Sequence, residues 1–307
     1  YEIGVRLVGS EMCIRDSGRM MQSMYNKKRG IFFIVAAAFN FSTMNMFARL
    51  AGDIPAMQKT FFRNLVAILV ISTILLLRRQ RITVKKAHLP ALLARSLFGT
   101  LGVVCNFYAM DRMLLSDATI LIDLSPFFVI LVSSLLLHEK ATQKQYVLIF
   151  LALVGACFVI KPTANIFSND AALAALGCAA FSGIAYAMLR VLSKQGEDGT
   201  TIVFFFSAFS CAVCLPSMLL HPLPLTARQF ILLLAAAVFA CLGQFSVTAA
   251  YRYAPASEIS IFDYTQIVFA AVWGWLIFNQ AADISSYIGY GIILAAAVSV
   301  FLEGRKK

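Results

Sequence analysis

Long apolar runs and short polar breaks alternate along nearly the whole chain, and each run is about 20 residues, the length of a helix crossing a bilayer. A transmembrane β-barrel would instead show alternating segments of about ten residues, and none is present. The pattern predicts ten helical spans near 30–52, 55–77, 91–110, 115–137, 144–161, 171–193, 200–220, 229–251, 255–278 and 284–302. Pro55, Pro162, Pro222, Pro224 and Pro255 fall at or near their ends, where helices stop.

A shift of 141 residues lays the chain over itself. Arg49 falls on Arg190, Gly102 on Gly243, Ser116 on Ser257, Phe128 on Phe269 and Tyr146 on Tyr287, and the acids Asp117 and Glu258 also coincide. One shift serves four helix pairs without gaps. Five spans per copy is an odd number, so the second copy enters the membrane from the opposite side. The expected fold is therefore an all-α polytopic membrane protein with ten transmembrane helices in two inverted five-helix repeats, a plan common among secondary transporters. The repeats are expected at 30–161 and 171–303, after a leader at 1–29.

Composition agrees with a bilayer environment: 60% of residues are hydrophobic and 13% charged, against about 25% charged in soluble domains. The net charge of +11 comes from basic loops on one side. Arg19, Lys27, Lys28 and Arg29 precede the first span, Arg78, Arg79, Arg81, Lys85 and Lys86 fill the second loop, and Lys140, Lys144, Lys194, Arg252 and Arg305 to Lys307 follow the same alternation. Basic loops face the cytoplasm, so both termini are expected there, in the cytoplasmic (plasma) membrane. This asymmetry accounts for the charge, and no nucleic-acid partner is inferred. Residues 1–17, YEIGVRLVGSEMCIRDS, fit neither repeat nor membrane pattern and read as non-native, with Met20, Met21 or Met24 as a start. A signal peptide is disfavoured because the first span is too long and has a counterpart in the second half. Cys211 and Cys214 share a helix face but have no His, Asp or Glu on that helix, so they read as packing residues and no metal site is expected. His88, His138 and His221 lie at loops or span ends.

Polar residues at depth carry the candidate chemistry, because an Asp or Arg at a helix centre costs about 2.5–3.5 kcal/mol and usually faces protein or water. Arg63 on span two and Asp123 on span four each lie about eight residues, or about 12 Å, below the outer surface. At a shared level they are expected to pair, either as a switchable ion pair on a substrate path or as a static one, unless Arg63 snorkels outward. Asp263 on span nine sits at a similar depth from the cytoplasmic side, near the level of Gln244, and Phe204 stands where Arg63 would be repeated. Without a counter-charge, burial favours the neutral acid, as a proton-coupling group requires, although a bond to a backbone carbonyl would equally hold it neutral. Asn40, Asn106, Tyr186, Tyr264 and Gln266 complete the expected pathway, with amide and phenol groups that both donate and accept. Any one of the amides could instead join helices. Pro126 within span four frees a carbonyl and is read as a hinge or ligand contact. Gly99, Gly102, Gly177, Gly183, Gly289 and Gly291 are expected to allow close helix contact.

The stretch FYAMDRMLLSDATILIDLSPFFVILVSSLLLHEK resembles the third-to-fourth span region of EamA-type members of the drug/metabolite transporter superfamily. Tyr108, Ala109, Ser116, Ala118, Pro126, Phe127, Phe128 and Glu139 hold the places of that pattern, and Tyr251, Tyr253, Ala254, Ala256 and Trp275 hold those of its second-half version. Gln280 departs from the usual closing Glu. The resemblance covers about residues 30–303 and implies ten helices in two inverted units, no cofactor, and transport of small organic metabolites such as amino acids. RSLFG with LLSDA is also similar to members importing nucleoside- or flavin-like compounds. The leading expectation is a secondary active exporter of small metabolites working by alternating access, with proton coupling and a homodimer compatible with it. A passive channel or facilitator is the rival class. No P-loop supports ATP drive, and no HExxH or buried Ser–His pair supports an enzyme.

Overall fold

A computed structural model describes residues 27–79, 84–136, 143–160, 169–220, 224–253 and 260–304, all outside the 1–17 leader and the 254–259 segment with Pro255 and Glu258. The described residues are mostly helical, with no strand among them. They form α1 (Lys27–Leu50), α2 (Ala56–Arg78), a 3₁₀ turn (Lys86–His88), α3 (Leu89–Arg112), α4 (Leu115–Ile122), α5 (Ser125–Leu136), α6 (Gln143–Ile160), α7 (Asp170–Lys194), α8 (Gly199–Leu220), α9 (Ala227–Tyr253), a second 3₁₀ turn (Ser260–Tyr264), α10 (Thr265–Phe278) and α11 (Ile284–Gly304). Among them, nine helical stretches are long and apolar enough to cross a membrane, counting α4 and α5 together, and a tenth apolar stretch, Phe262–Phe278, is shorter. The observed ends lie within a few residues of those predicted, except that the start of span nine, expected at 255, falls outside the described residues. The protein is an all-α polytopic membrane protein of two five-span halves, inserted oppositely because five is odd.

Packing between the halves obeys the repeat. Moving each helix to its counterpart exchanges the contact of α1 with α9 for that of α7 with α3. It likewise exchanges α5 on α7 for α10 on α1, and α9 on α2 for α3 on α8. Of the remaining large contacts, α2 with α8 and α6 with α11 join a helix to its own counterpart, and α4 with α10 joins the broken fourth span of one half to the equivalent span of the other. Many of the largest contacts thus cross between halves, and the repeats interlock. The main buried cluster, including Leu115, Ile120, Leu121, Leu124, Ile267 and Ile293, sits where α4, α10 and α11 meet.

Small residues set the closest approach. A Cβ added at Gly155 on α6 would stand 2.8 Å from Ile293 Cγ1, and one at Gly289 on α11 would stand 2.7 Å from the Gly155 carbonyl oxygen. The two backbones therefore touch, as glycine permits in membrane helices. Gly291, two residues on, meets nothing within 4 Å, so its expected packing role does not hold. Gly177 has only ordinary contacts, at 3.8 Å and beyond.

Candidate functional site

Span four was expected as one helix, and it breaks. α4 ends at Ile122, and α5 begins at Ser125. Around the break Leu124 N–H bonds the Leu121 carbonyl at 3.2 Å and Phe127 N–H bonds Leu124 at 3.0 Å, both three-residue closures. Pro126 supplies no N–H to the Ile122 carbonyl and stands in the first turn of α5, where none is needed. It is exposed and lies beyond the break. In the second half the 3₁₀ turn Ser260–Tyr264 gives way to α10 at Thr265, whose hydroxyl bonds the Phe262 carbonyl at 2.7 Å. With the 141-residue shift, Asp123–Leu124 falls on Tyr264–Thr265. The described residues of both halves thus depart from α-helical geometry at overlapping places of the repeat, Asp123–Leu124 in one and Ser260–Tyr264 in the other.

The deep charged groups gather around these breaks. Asp123 and Asp263 lie within electrostatic reach of one another, and each has a buried carboxylate oxygen without a hydrogen-bond partner. The Tyr264 hydroxyl donates to the backbone carbonyl of Asp123 at 3.0 Å. Arg63 on α2 and Arg95 on α3 are likewise neighbours, and both feel Tyr186 on α7. Tyr186 also feels Asp263. Although Tyr186 is surrounded by protein, 51% of its surface is accessible. The two arginines and two aspartates are similarly enclosed yet only half-buried. Groups enclosed by protein but reachable by solvent line an internal cavity. Its charged groups are Arg63, Arg95, Asp123 and Asp263, and its phenols are Tyr186 and Tyr264.

Five expected pathway residues thus come together: Arg63, Asp123, Tyr186, Asp263 and Tyr264. The expected Arg63–Asp123 ion pair does not form. Arg63 Nε and Asp123 Oδ2 are both unpartnered, and the charge that Asp123 feels is Asp263, from the other repeat. The expected contrast between a paired Asp123 and an unpaired Asp263 falls with it. Asn40 donates to the Ala36 carbonyl of its own helix at 2.7 Å, and Asn106 donates to Asn45 at 3.0 Å, so these amides serve backbone and helix–helix contacts. Gln244 is exposed and Gln266 half-buried. Arg95 also joins the site, a residue that the sequence pattern did not single out.

Each end of the bundle carries a polar latch. At one, Lys59, with no exposed side-chain surface, binds both carboxylate oxygens of Asp111 at 2.6 and 2.8 Å. Beside it Arg49 donates to the Met113 carbonyl at 2.5 Å and reaches Gln280 Oε1 at 3.4 Å. Gln280 Oε1 also accepts from Leu115 N–H at 3.2 Å, satisfying the start of α4. It is aimed there by Asn279, whose left-handed backbone (φ 52°) ends α10. At the other end His88 Nδ1 lies 2.5 Å from Glu197 Oε1. Among the described residues no group of three His, Cys, Asp or Glu could hold a metal ion.

The EamA-like transporter family matches the chain twice, over residues 28–161 and 170–302. The pseudopaline exporter CntI of Pseudomonas aeruginosa is 35% identical over 89% of this chain and 96% of its own length. A riboflavin transporter of Brucella anthropi is 26% identical over 86% of this chain and 95% of its own. A crystal structure at 16% identity covers 92% of this chain and 99% of its own with a TM-score of 0.63, a likeness of fold. Two family matches spanning both halves, and a relative at that identity over nearly its whole length, show that the chain belongs to the EamA-like transporter family.

Proposed function

We propose that the protein is a secondary active transporter that moves small amino-acid-like metabolites out of the cytoplasm by alternating access. The observation that carries this reading is the enclosed cavity where two unpartnered carboxylates, Asp123 and Asp263, meet at repeat-equivalent helix breaks. Discontinuous helices beside a central polar site are the usual construction of such carriers. The 35% identity to a pseudopaline exporter supports export of a small metabolite. Import of a flavin-like compound is the second reading, supported by similarity to riboflavin transporters at lower identity.

In this account residues near Lys28, Lys85 and Lys306 face the cytoplasm, following the basic loops, and the Lys59–Asp111 latch faces outward. The five-span units at 30–161 and 171–303 rock about the paired breaks, opening one end as the other closes. Asp263 and Asp123 have no cation bonded to them and are the groups proposed to exchange a proton or the amine of the cargo. The chemistry is binding and translocation, with no bond made or broken in the cargo.

The test is a thermal-shift screen of purified protein against a metabolite library, followed by counterflow of each stabilising compound in proteoliposomes. Saturable uptake driven by preloaded cargo is expected. Flux that neither saturates nor shows counterflow would assign a channel instead.

A further inference from the structure

Arg63 and Arg95 are two cations in one low-dielectric enclosure, and nothing in the described structure neutralises either of them. Neither makes a hydrogen bond or ion pair to a carboxylate, and the Nε of each is buried without a partner. Both feel the phenol of Tyr186, and Arg95 also feels the charge of Arg63. Arg95 has a long stem and a short distance to the polar end of α3, which begins at Leu89, so snorkelling outward is open to it. It points the other way. Its Nη1 lies 2.2 Å from where a Cβ at Gly99 would be, one turn deeper into the membrane, and its guanidinium stacks on Phe206 with Cζ 4.7 Å from the ring centroid. Gly99 and Phe206 thus form a slot that holds the charge inward.

Both arginines come from the first half. Their counterparts are Phe204 and Ala236, so the repeat does not require them. A paired guanidinium site without an internal counter-ion is built for an anion supplied from outside. The acids Asp123 and Asp263 belong to the same enclosure, joined to the arginines through Tyr186, which feels Arg63, Arg95 and Asp263. From this geometry we infer that Arg63 and Arg95 form the subsite for a carboxylate of the cargo, with Arg95 as the specificity-determining residue. The cargo class is then a carboxylate-bearing zwitterion, its amine toward the aspartates. This deepens the proposed transport reading and rests on it for the word cargo, but the anion site stands or falls by binding alone. Guanidinium forks match carboxylates and phosphates in the same bidentate geometry, so the test must separate the two.

The experiment follows thermal unfolding of the purified full-length protein in chloride, acetate, succinate or phosphate at constant ionic strength. Acetate and succinate should raise the melting temperature above that in chloride, succinate more because it can span both guanidiniums. Arg95→Gln and Arg63→Gln should each weaken the succinate response by about tenfold or more, the loss expected for one charge-assisted contact. Gly99→Ala keeps both charges but displaces the Arg95 guanidinium, and it should weaken the response as well. That variant keeps the test decisive where a glutamine variant fails to fold. Equal melting in chloride and succinate, or an unchanged response in Gly99→Ala, overturns the site. A larger shift in phosphate than in succinate overturns the carboxylate assignment. Loss of transport with succinate binding intact would reject the transporter reading alone, and transport without carboxylate binding would reject this one.

Discussion

Tyr264 donates its hydroxyl to the backbone carbonyl of Asp123 at 3.0 Å, and the two residues are each other's counterparts in the two repeats, 141 positions apart. A position that touches its own counterpart lies on the pseudo-two-fold axis, where rigid-body rocking of the halves displaces atoms least. The bond therefore ties the halves together at the proposed pivot. Tyr264→Phe should lower stability by about 0.5–1.5 kcal/mol, the worth of one hydrogen bond. Transport should slow with it, measured as counterflow rate beside chemical denaturation. Unchanged rate and unchanged stability would remove the pivot from the account.

Arg63 and Asp123 should behave as independent groups. Because no ion pair joins them, the free-energy losses of Arg63→Ala and Asp123→Asn should add to within about 0.5 kcal/mol in a double-mutant cycle. Asp123 and Asp263, which do feel one another, should instead be strongly non-additive. Coupling between Arg63 and Asp123 beyond about 1 kcal/mol would revive the ion pair that the structure lacks.

The Lys59–Asp111 latch should be expensive to break and cheap to replace. Lys59→Met alone leaves Asp111 without its cation, and a loss of about 3–5 kcal/mol is expected for a buried pair with one partner removed. Combining Lys59→Met with Asp111→Leu should restore most of it, since an apolar pair of similar volume is often neutral. Denaturation of both variants in detergent checks this. A double variant as unstable as the single one would mean that Asp111 also serves another partner.

Glycines two residues apart on α11 should respond differently. Gly289→Ala drives a Cβ to 2.7 Å from the Gly155 carbonyl oxygen and should cost about 1–3 kcal/mol as overpacking. Gly291→Ala meets nothing within 4 Å and should be neutral or slightly stabilising. Equal effects in a melting experiment would contradict the α6–α11 contact.

The spans and the repeat were legible in the sequence because each rests on a sum over many residues. A run of about 20 apolar side chains has few other uses, and a shift serving four helix pairs is hard to mimic. What could not be read was direction. LLSDATILIDLSPFFVILV is apolar enough to pass for one helix, and Pro126 marked the break without locating it, since it stands in the turn that follows. The second break has no proline among its described residues, and only the repeat points to it. Depth matched Arg63 to Asp123, but depth along two helices says nothing of azimuth, and azimuth decided that they do not pair. Arg95 was hidden for the same reason. Its inward aim is set by Gly99 one turn on and by Phe206 from the other half, a tertiary relation with no local signature. Asn40 and Asn106 have polar groups that found partners within and between helices, as membrane amides often do.

The most direct test of transport through this cavity compares small-molecule pools inside and outside cells that express the protein, using untargeted mass spectrometry. The same cells should carry, in turn, the native chain, Asp123→Asn, or no transporter, with membrane levels of the two proteins matched. The account predicts that the native chain enriches one or a few low-mass, carboxylate-bearing metabolites in the medium and depletes them inside, and that Asp123→Asn abolishes the redistribution. No redistribution by the native chain, or the same redistribution by Asp123→Asn, would contradict it.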